Sequence, residues 1–493
     1  MYEYFKNLLK QNSCSSIGVC SIHPSVSALY EILLNEIRET SFYIVKLKEF
    51  NLINKKAMEK LIEGLSIFLI NTSFNKIKYL KLVKNLNSLK KEIKEKYIEY
   101  CNIYNLPCEM ITSSVDIKEN TTISDLIENS QIFISNKQKN DNKNKLYMFD
   151  LIAFFAKLSA INVLKIKKLN NCTSEKIEKF NYEIIRFFSL TNGYSIRDEK
   201  IKRRILEFSA VALEIKKELQ LCLEEKYGKK ETTTVCENIY KGFGILVSGS
   251  DLDELENVLN TIEKIELDSE IKEKINVYTN QALINAHLYP FFKENKYLKG
   301  HIGTDNPEYD FSIFKGSILL SQNFVQKIDN LYRGEIFSNK IISFERVSDI
   351  NNNDYSPLVL SALKEENRTF EKKESYKIEY DSEKLKKDFI EYNNDEIAIV
   401  IGERNKKQTF KDGDKIINLQ YPFDELFNFI DILKEKQIKI TLLFTECNLL
   451  NLETVLLLLN KEIEIYLASC SNLLINPHVI QALKNEFKIN VIE

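Results

Sequence analysis

From Val26 onward, apolar residues recur at three- and four-residue steps: Val26, Leu29, Leu33, Ile37, Ile44 and Leu47. That spacing lines one face of an α-helix. Pro24 stands where a helix start tolerates a missing N–H. Leu61, Leu65 and Phe68 continue the pattern, and Ile77, Leu80, Val83, Leu86, Leu89 and Ile93 make a third stripe. Helical spacing resumes at 147–168, 174–190 and 198–226, and the intervening SNKQKNDNKNK (135–145) reads as an exposed polar loop. No repeat of solenoid period is present.

The texture changes near Tyr240. GFGILVS (242–248) is a short apolar run, DLDELENVLNTIEKIE after it is an acidic-started helix, and INVYT (275–279) is a second strand. This β–α–β rhythm implies a parallel sheet with helices packed on it. ILLSQ (318–322) and IISFERV (341–347) add strands. A charged, Asn-rich stretch around 363–385 marks a boundary. Beyond it, IAIVIG, KIINLQ, ITLLFT, IEIYLA and INVIE alternate with helical stretches at 423–434, 449–460 and 476–487. The expected architecture is a multidomain α and α/β chain. It has a helical domain over 1–235 with a polar loop near 135–146, then two Rossmann-like, doubly wound α/β domains over 236–375 and 376–493.

Composition narrows the function classes. Of 493 residues, 44% are hydrophobic and 28% charged, enough apolar material for sizeable cores. Lys and Arg number 69 against 71 Asp and Glu, so no global field recruits nucleic acid or anionic lipid. The N-terminal MYEYFKNLLKQNSCSS lacks the features of a secretory signal. Apolar runs such as IAIVI and VLLLL fall short of the ~20 residues that span a bilayer. Nine cysteines at irregular spacing read as reduced thiols and no disulfide framework. A cytoplasmic protein is expected, bound to neither membrane nor nucleic acid.

Ligands of open α/β sheets bind beyond the carboxyl ends of strands. Those positions here hold Gly249-Ser250-Asp251, Asn280-Gln281-Ala282, Asn323-Phe324, Gly402-Glu403-Arg404 and Glu446-Cys447. They form no His/Cys/carboxylate cluster, and neither a G-x-G-x-x-G fingerprint nor a Walker A loop is present. His287 and His301 lie beyond the second strand, and His23 reads as a turn residue.

Five blocks in order carry a resemblance: IGVCSIHPSVSALYEILLNEI, KGFGILVSGSDLDELENVL, INVYTNQALINAHLYPFFKENKYLKGHIGT, GSILLSQNF and IYLASCSNLLINPHVIQAL. Together they resemble the hybrid-cluster (prismane, hydroxylamine reductase) proteins, relatives of the nickel–iron carbon monoxide dehydrogenases, from about residue 14 to the end of the chain. The resemblance implies a helical domain followed by two Rossmann-like domains. In the family, strand-end residues hold an iron–sulfur hybrid cluster that reduces hydroxylamine, peroxide or nitric oxide species. Matched residue by residue, the histidine ligand becomes Ser250, the glutamate Ala282, a cysteine Phe324 and the persulfide cysteine Arg404. A further carboxylate falls on Cys447, or on Glu446 one residue away. Serine, alanine, phenylalanine and arginine cannot replace thiolate, imidazole and carboxylate ligands together. The expectation is therefore a degenerate, non-catalytic member of a redox family with a binding or regulatory role and no cofactor in the old site.

Cys14 and Cys20 resemble the second half of the family's N-terminal four-cysteine motif. Two thiolates cannot hold a cubane, but two chains related by a two-fold axis could hold one between them. The alternative function is thus an iron–sulfur redox protein with a Cys14/Cys20 cluster shared across a dimer, or a hydroxylamine reductase-type oxidoreductase. The simpler reading leaves both cysteines as small apolar residues. A homodimer, or a complex with a ligand-bearing relative, is the assembly the resemblance allows. Cys101 and Cys108 frame a turn containing Pro107, with no second pair to complete a zinc site.

Overall fold

The computed structural model describes every residue except 1–23, 68–75, 112–114, 116, 139–142, 170–171, 194, 269–273, 304–306, 322–331, 333, 340–346, 365, 368–375, 379–381, 402–415, 420–425, 446–448, 469–476 and 493. It opens with helices α1 (Pro24–Glu49), α2 (Lys55–Ser66), α3 (Lys76–Ile103), α4 (Ile123–Gln138), α5 (Lys143–Leu169), α6 (Ser174–Ser189) and α7 (Asp198–Tyr227). The predicted apolar stripes are their buried faces: Leu29, Leu33, Ile37, Ile44 and Leu47 on α1, and Val83, Leu86, Leu89 and Ile93 on α3. The polar loop expected over 135–146 is largely helix, because α4 runs to Gln138 and α5 starts at Lys143. Polar composition reports solvent exposure, and a helix already nucleated extends through Lys, Gln and Asn at little cost.

A sheet of seven strands follows. It comprises β2 (Gly242–Ser248), β3 (Ile275–Asn280), β4 (Leu298–His301), β5 (Ser317–Leu320), β6 (Ile336–Ser338), β7 (Val347–Asp349) and β8 (Glu366–Asn367). The order β4-β3-β2-β5-β6-β7 is parallel throughout, and the short β8 pairs antiparallel with the start of β2. Helices α8 (Leu252–Asp268), α9 (Pro290–Lys293), α10 (Pro307–Ile313) and α11 (Ser356–Ala362) connect its strands. Before it, β1 (Thr233–Val235) pairs antiparallel with β9 (Tyr376–Ile378), so the segments entering and leaving this region are zipped together. Of the predicted IISFERV strand, residues 341–346 lie outside the described residues, and β7 begins at its last residue, Val347.

After α12 (Ser382–Glu391) comes a second parallel sheet of β10 (Glu396–Ile401), β11 (Ile416–Leu419), β12 (Lys439–Phe444), β13 (Glu464–Ala468) and β14 (Asn490–Ile492). Its order is β11-β10-β12-β13-β14. Helices α13 (Leu426–Glu435), α14 (Leu449–Leu458) and α15 (Pro477–Phe487) complete it. Both sheets thus have the doubly wound order, with the first strand inside and a reversal beside it.

The chain forms two compact units: the helical segment up to Cys222 with everything from Asp388 on, and Leu223–Lys387 with its own core. In the first unit α5 is the hub. Its 27 residues have the length and hydropathy of a membrane span, yet 83% of that apolar window is buried inside the protein. Short apolar runs do not reveal it because Asp150 and Lys157 interrupt the apolar letters. Those polar residues are ties. Asp150 Oδ2 lies 2.7 Å from His478 Nδ1 on α15, and the Lys157 ammonium meets the Tyr30 hydroxyl of α1. Asn162 Nδ2 donates to Glu453 Oε1 on α14 at 2.8 Å, and Lys216 of α7 reaches Glu453 Oε2 at 2.8 Å. The C-terminal sheet region is therefore fastened to the helical segment through helix α5.

A second set of buried charges locks α1 to α3. Lys90 Nζ donates to Glu36 Oε1 at 2.9 Å and to Glu39 Oε2 at 2.8 Å. Asn87 and Asn35 donate to the remaining carboxylate oxygens at 3.2 and 2.9 Å. Burial pushes the Glu36 carboxyl above its ordinary range against the pull of Lys90. Burial also weighs on the Lys90 ammonium, but the two carboxylates override it and hold its pKa up. Removing one member of such a group leaves the others charged and dry. Lys90→Met is expected to cost about 3–5 kcal/mol in urea unfolding followed by circular dichroism. The Lys90→Met, Glu36→Leu, Glu39→Leu triple, which removes the charges together, should cost less; a triple loss equal to the sum of the three single losses would show that the charges act independently.

Candidate functional site

At the carboxyl edge of the seven-stranded sheet, the strand order reverses between β2 and β5. β3 is buried along its whole length and β2 from Gly244 on, as apolar runs in a doubly covered parallel sheet must be. Their last residues, Ser248, Thr279 and Asn280, are therefore polar groups delivered into a dry interior. Each must find a partner there or incur a desolvation cost.

All three do. The Ser248 hydroxyl donates to Asn280 Oδ1 at 2.6 Å, and Asn280 Nδ2 donates to Asp310 Oδ2 of α10 at 3.1 Å and to the Ile302 carbonyl. Thr279 Oγ1 sits 2.9 Å from His287 Nε2 and 2.9 Å from His301 Nδ1. A hydroxyl has one hydrogen, so at most one imidazole nitrogen can accept from it. Burial drives the His287 pKa down to about 4, despite a hydrogen bond with the Gly300 carbonyl, so this imidazole is neutral at pH 7.

The reversal itself is stitched shut. Just past β5, the Ser321 N–H donates to the Ser248 carbonyl at 2.7 Å, while Ser321 Oγ accepts from the Asp251 N–H at 3.2 Å. The Leu283 N–H donates to the Gly249 carbonyl at 3.0 Å. Two residues at these strand ends have positive φ: Gly249 at 136° and Gln281 at 59°. Glycine takes that conformation freely, whereas for glutamine it costs about 1 kcal/mol, which the surrounding bonds hold in place.

Of the residues singled out from sequence, Ser250 follows Gly249 at the end of β2, and Ala282 follows the left-handed Gln281 at the end of β3. Both are half-buried, and they flank the same two central strands. Phe324, Arg404, Cys447, Glu446, Cys14 and Cys20 lie outside the described residues. Among the described residues, no group of three His, Cys, Asp or Glu side chains could hold a metal ion. Iron–sulfur clusters take thiolates, with imidazole or carboxylate as substitutes, and a serine hydroxyl beside an alanine methyl offers none of these. At these two strand ends the donor chemistry does not fit a cluster. A hydroxyl between two imidazoles has the shape of a nucleophile–base pair, but Thr279 is fully buried and its oxygen is already shared.

A model of the Prismane/CO dehydrogenase family matches residues 9–455. The chain belongs to this family. A hydroxylamine reductase of Syntrophobacter fumaroxidans is 24% identical over 368 residues, 72% of this chain and 63% of that protein. A hydroxylamine reductase of Kosmotoga olearia is 31% identical over 202 residues, 38% of this chain and 34% of its own length. The chain thus spans less than two thirds of the length of either relative. Among solved structures, a match covers 97% of this chain and 77% of the other at 9% identity, with a TM-score of 0.39. That structure is described as NiZn[Fe4S4] and NiNi[Fe4S4] clusters in closed and open alpha subunits of acetyl-CoA synthase/carbon monoxide dehydrogenase.

Apolar patterning locates the strand ends but does not reveal the Ser248–Asn280–Asp310 and His287–Thr279–His301 groups. The available signal is a polar residue closing an otherwise apolar run, Ser after ILV and Thr-Asn after INVY. His287 yields a pH prediction. Its folded pKa is depressed from the ordinary 6.5 to about 4, so its contribution is complete above pH 6.5 and is lost as pH falls from there toward 4. The loss should reach roughly 3 kcal/mol. Unfolding midpoints measured across that window should drop for the native chain, and His287→Gln should flatten the slope; an unchanged slope would mean His287 does not titrate on unfolding.

Proposed function

We propose that this chain is a non-catalytic member of the Prismane/CO dehydrogenase family, kept for binding or regulation in the cytoplasm. The partner is a second copy of itself or a relative that carries a full ligand set. The supporting observation is the carboxyl edge of the central strands. Ser250 and Ala282 stand at the positions matched to family ligands, and the side chains beneath them are joined to one another. A cluster-holding edge would instead turn thiolate, imidazole or carboxylate donors toward a common centre. These two strand ends supply no ligand through which a redox step could run.

The test is iron and acid-labile sulfide content with an ultraviolet–visible spectrum, on protein purified without oxygen and again after reconstitution. Hydroxylamine-dependent oxidation of a reduced dye is followed in parallel. Protein with no cluster and no turnover is the expected result. Turnover in iron-loaded protein would overturn the proposal and restore the reductase reading. Iron bound without turnover and lost in Cys14→Ser would instead make the chain an electron carrier with a cluster shared between two copies.

A further inference from the structure

Along the first two turns of α7 stand Lys200, Lys202, Arg203 and Arg204, with Arg197 one residue ahead of the helix. The rotation of α7 is set by its apolar side. Ile201, Ile205 and Phe208 are buried, and the Phe208 ring stacks on Phe187 of α6 with centroids 3.9 Å apart. Lys200, Arg203 and Arg204 are thereby turned to solvent, Arg203 with 81% of its side chain exposed. Asp198 and Glu199 suit the positive end of the helix dipole, but that dipole disfavours cations there. Lys143 and Lys145 open α5 in the same unfavourable way, with no acidic residue in its first turn. Helix stability therefore gives no reason for this many cations at two helix starts.

Side-chain contacts bring these starts together with the end of α15. Lys145 Nζ lies 3.3 Å from Asp198 Oδ1, Asn485 Nδ2 donates to Asn144 Oδ1 at 3.5 Å, and Lys202 Nζ sits 5.6 Å from the centre of the Phe487 ring. Residues 143–145 carry two positive charges, 197–207 five against three negative, and 484–488 two against one. The excess is five positive charges, in a chain whose net charge is −2. Arg203 Nε and Arg204 Nη1 share one carboxylate, Glu207, at 2.9 and 2.6 Å, so two guanidiniums are offset by a single charge. Such a local excess draws in groups of opposite sign.

We propose that the start of α7, with the adjoining ends of α5 and α15, is a docking surface for a protein partner whose contact face is rich in aspartate and glutamate. Charge complementarity names the occupant, and the surroundings narrow it. Among the described residues, no exposed large hydrophobic side chain lies within 143–147, 197–207 or 477–490, so no apolar anchor is present to enter a lipid surface. The aromatic ring at hand, Phe487, has the Lys202 ammonium over its face and makes a poor stacking platform for a nucleic-acid base. A duplex bears one negative charge about every 1.7 Å and would meet Asp198, Glu199 and Glu207 as well as the cations. Separate carboxylates on a folded partner can be spaced to avoid them, and can take the guanidinium forks of Arg203 and Arg204 bidentately. Docking here is independent of whether the chain holds a cluster.

The full-length chain is titrated into a fluorescein-labelled peptide of alternating glutamate and serine, and binding is read by fluorescence anisotropy. Affinity should fall about tenfold or more between ~25 and ~200 mM salt. Arg203→Glu with Arg204→Glu should weaken binding about tenfold or more at low salt. Lys60→Glu with Lys81→Glu, the same charge change at exposed positions of α2 and α3, should leave it within about twofold. Glu207→Gln, which releases both guanidiniums, should tighten binding about two- to fivefold. Circular dichroism establishes that each variant is folded. Equal binding by the native chain and the folded arginine variant overturns the proposal, and so does an equal loss in the lysine variant. Double-stranded DNA, or vesicles of phosphatidylserine and phosphatidylcholine, held about tenfold more tightly than the peptide through the same arginines would overturn it in favour of those partners. Self-association in light scattering at low salt, lost in the arginine variant, would overturn it in favour of a second copy of this chain.

Discussion

Polar side chains at the carboxyl ends of two buried strands impose the constraint on which the middle unit depends. Ser248, Thr279 and Asn280 cannot reach water, and an unpartnered buried polar group costs about 1–3 kcal/mol. In a parallel α/β sheet this edge is where a ligand or metal normally satisfies such groups. Here the partners come from the protein: α10 supplies Asp310, the turn after β3 supplies His287, and the end of β4 supplies His301. The strand ends keep the positive-φ backbone that shapes a ligand-binding edge, at Gly249 and at the less comfortable Gln281.

The first unit meets the same problem with ions. Glu36, Glu39 and Lys90 lie between α1 and α3, and Asp150, Lys157 and Asn162 punctuate the buried face of α5. A buried ion group contributes little net stability over an apolar replacement, but it tolerates no other register. Leucine and isoleucine could pack α5 at several rotations. A helix that must present Asp150 to His478 and Asn162 to Glu453 has far fewer acceptable settings. That specificity explains how the chain from Asp388 on joins the distant helical segment in one compact unit.

Much of this architecture is legible from period and composition. The helical stripes and the strands of both sheets fall close to their observed bounds, because buried faces leave a strict apolar period. What escapes are features that apolar counting cannot register. β6 has only three residues, and β1 and β9 are edge pairings with too little apolar content. α4 and the ends of the 135–146 stretch are helix despite polar letters. Helix α5 is expected over 147–168 and found there, but its place as the hub is not legible because its charged residues break the apolar run, although those residues are its ties. At the candidate site, the strand-end positions are readable one by one, but the network is not. Thr279, His287 and His301 come together only when β3 and β4 pair, across a bulge between Val277 and Tyr278.

At the sheet edge of the middle unit, the polar side chains of Ser248, Thr279 and Asn280 are joined to one another and to Asp310, His287 and His301 in a dry interior. These bonds join β2, β3 and the segments following them, so the edge acts as a framework. Any ligand there would have to displace short hydrogen bonds such as Ser248 to Asn280 at 2.6 Å.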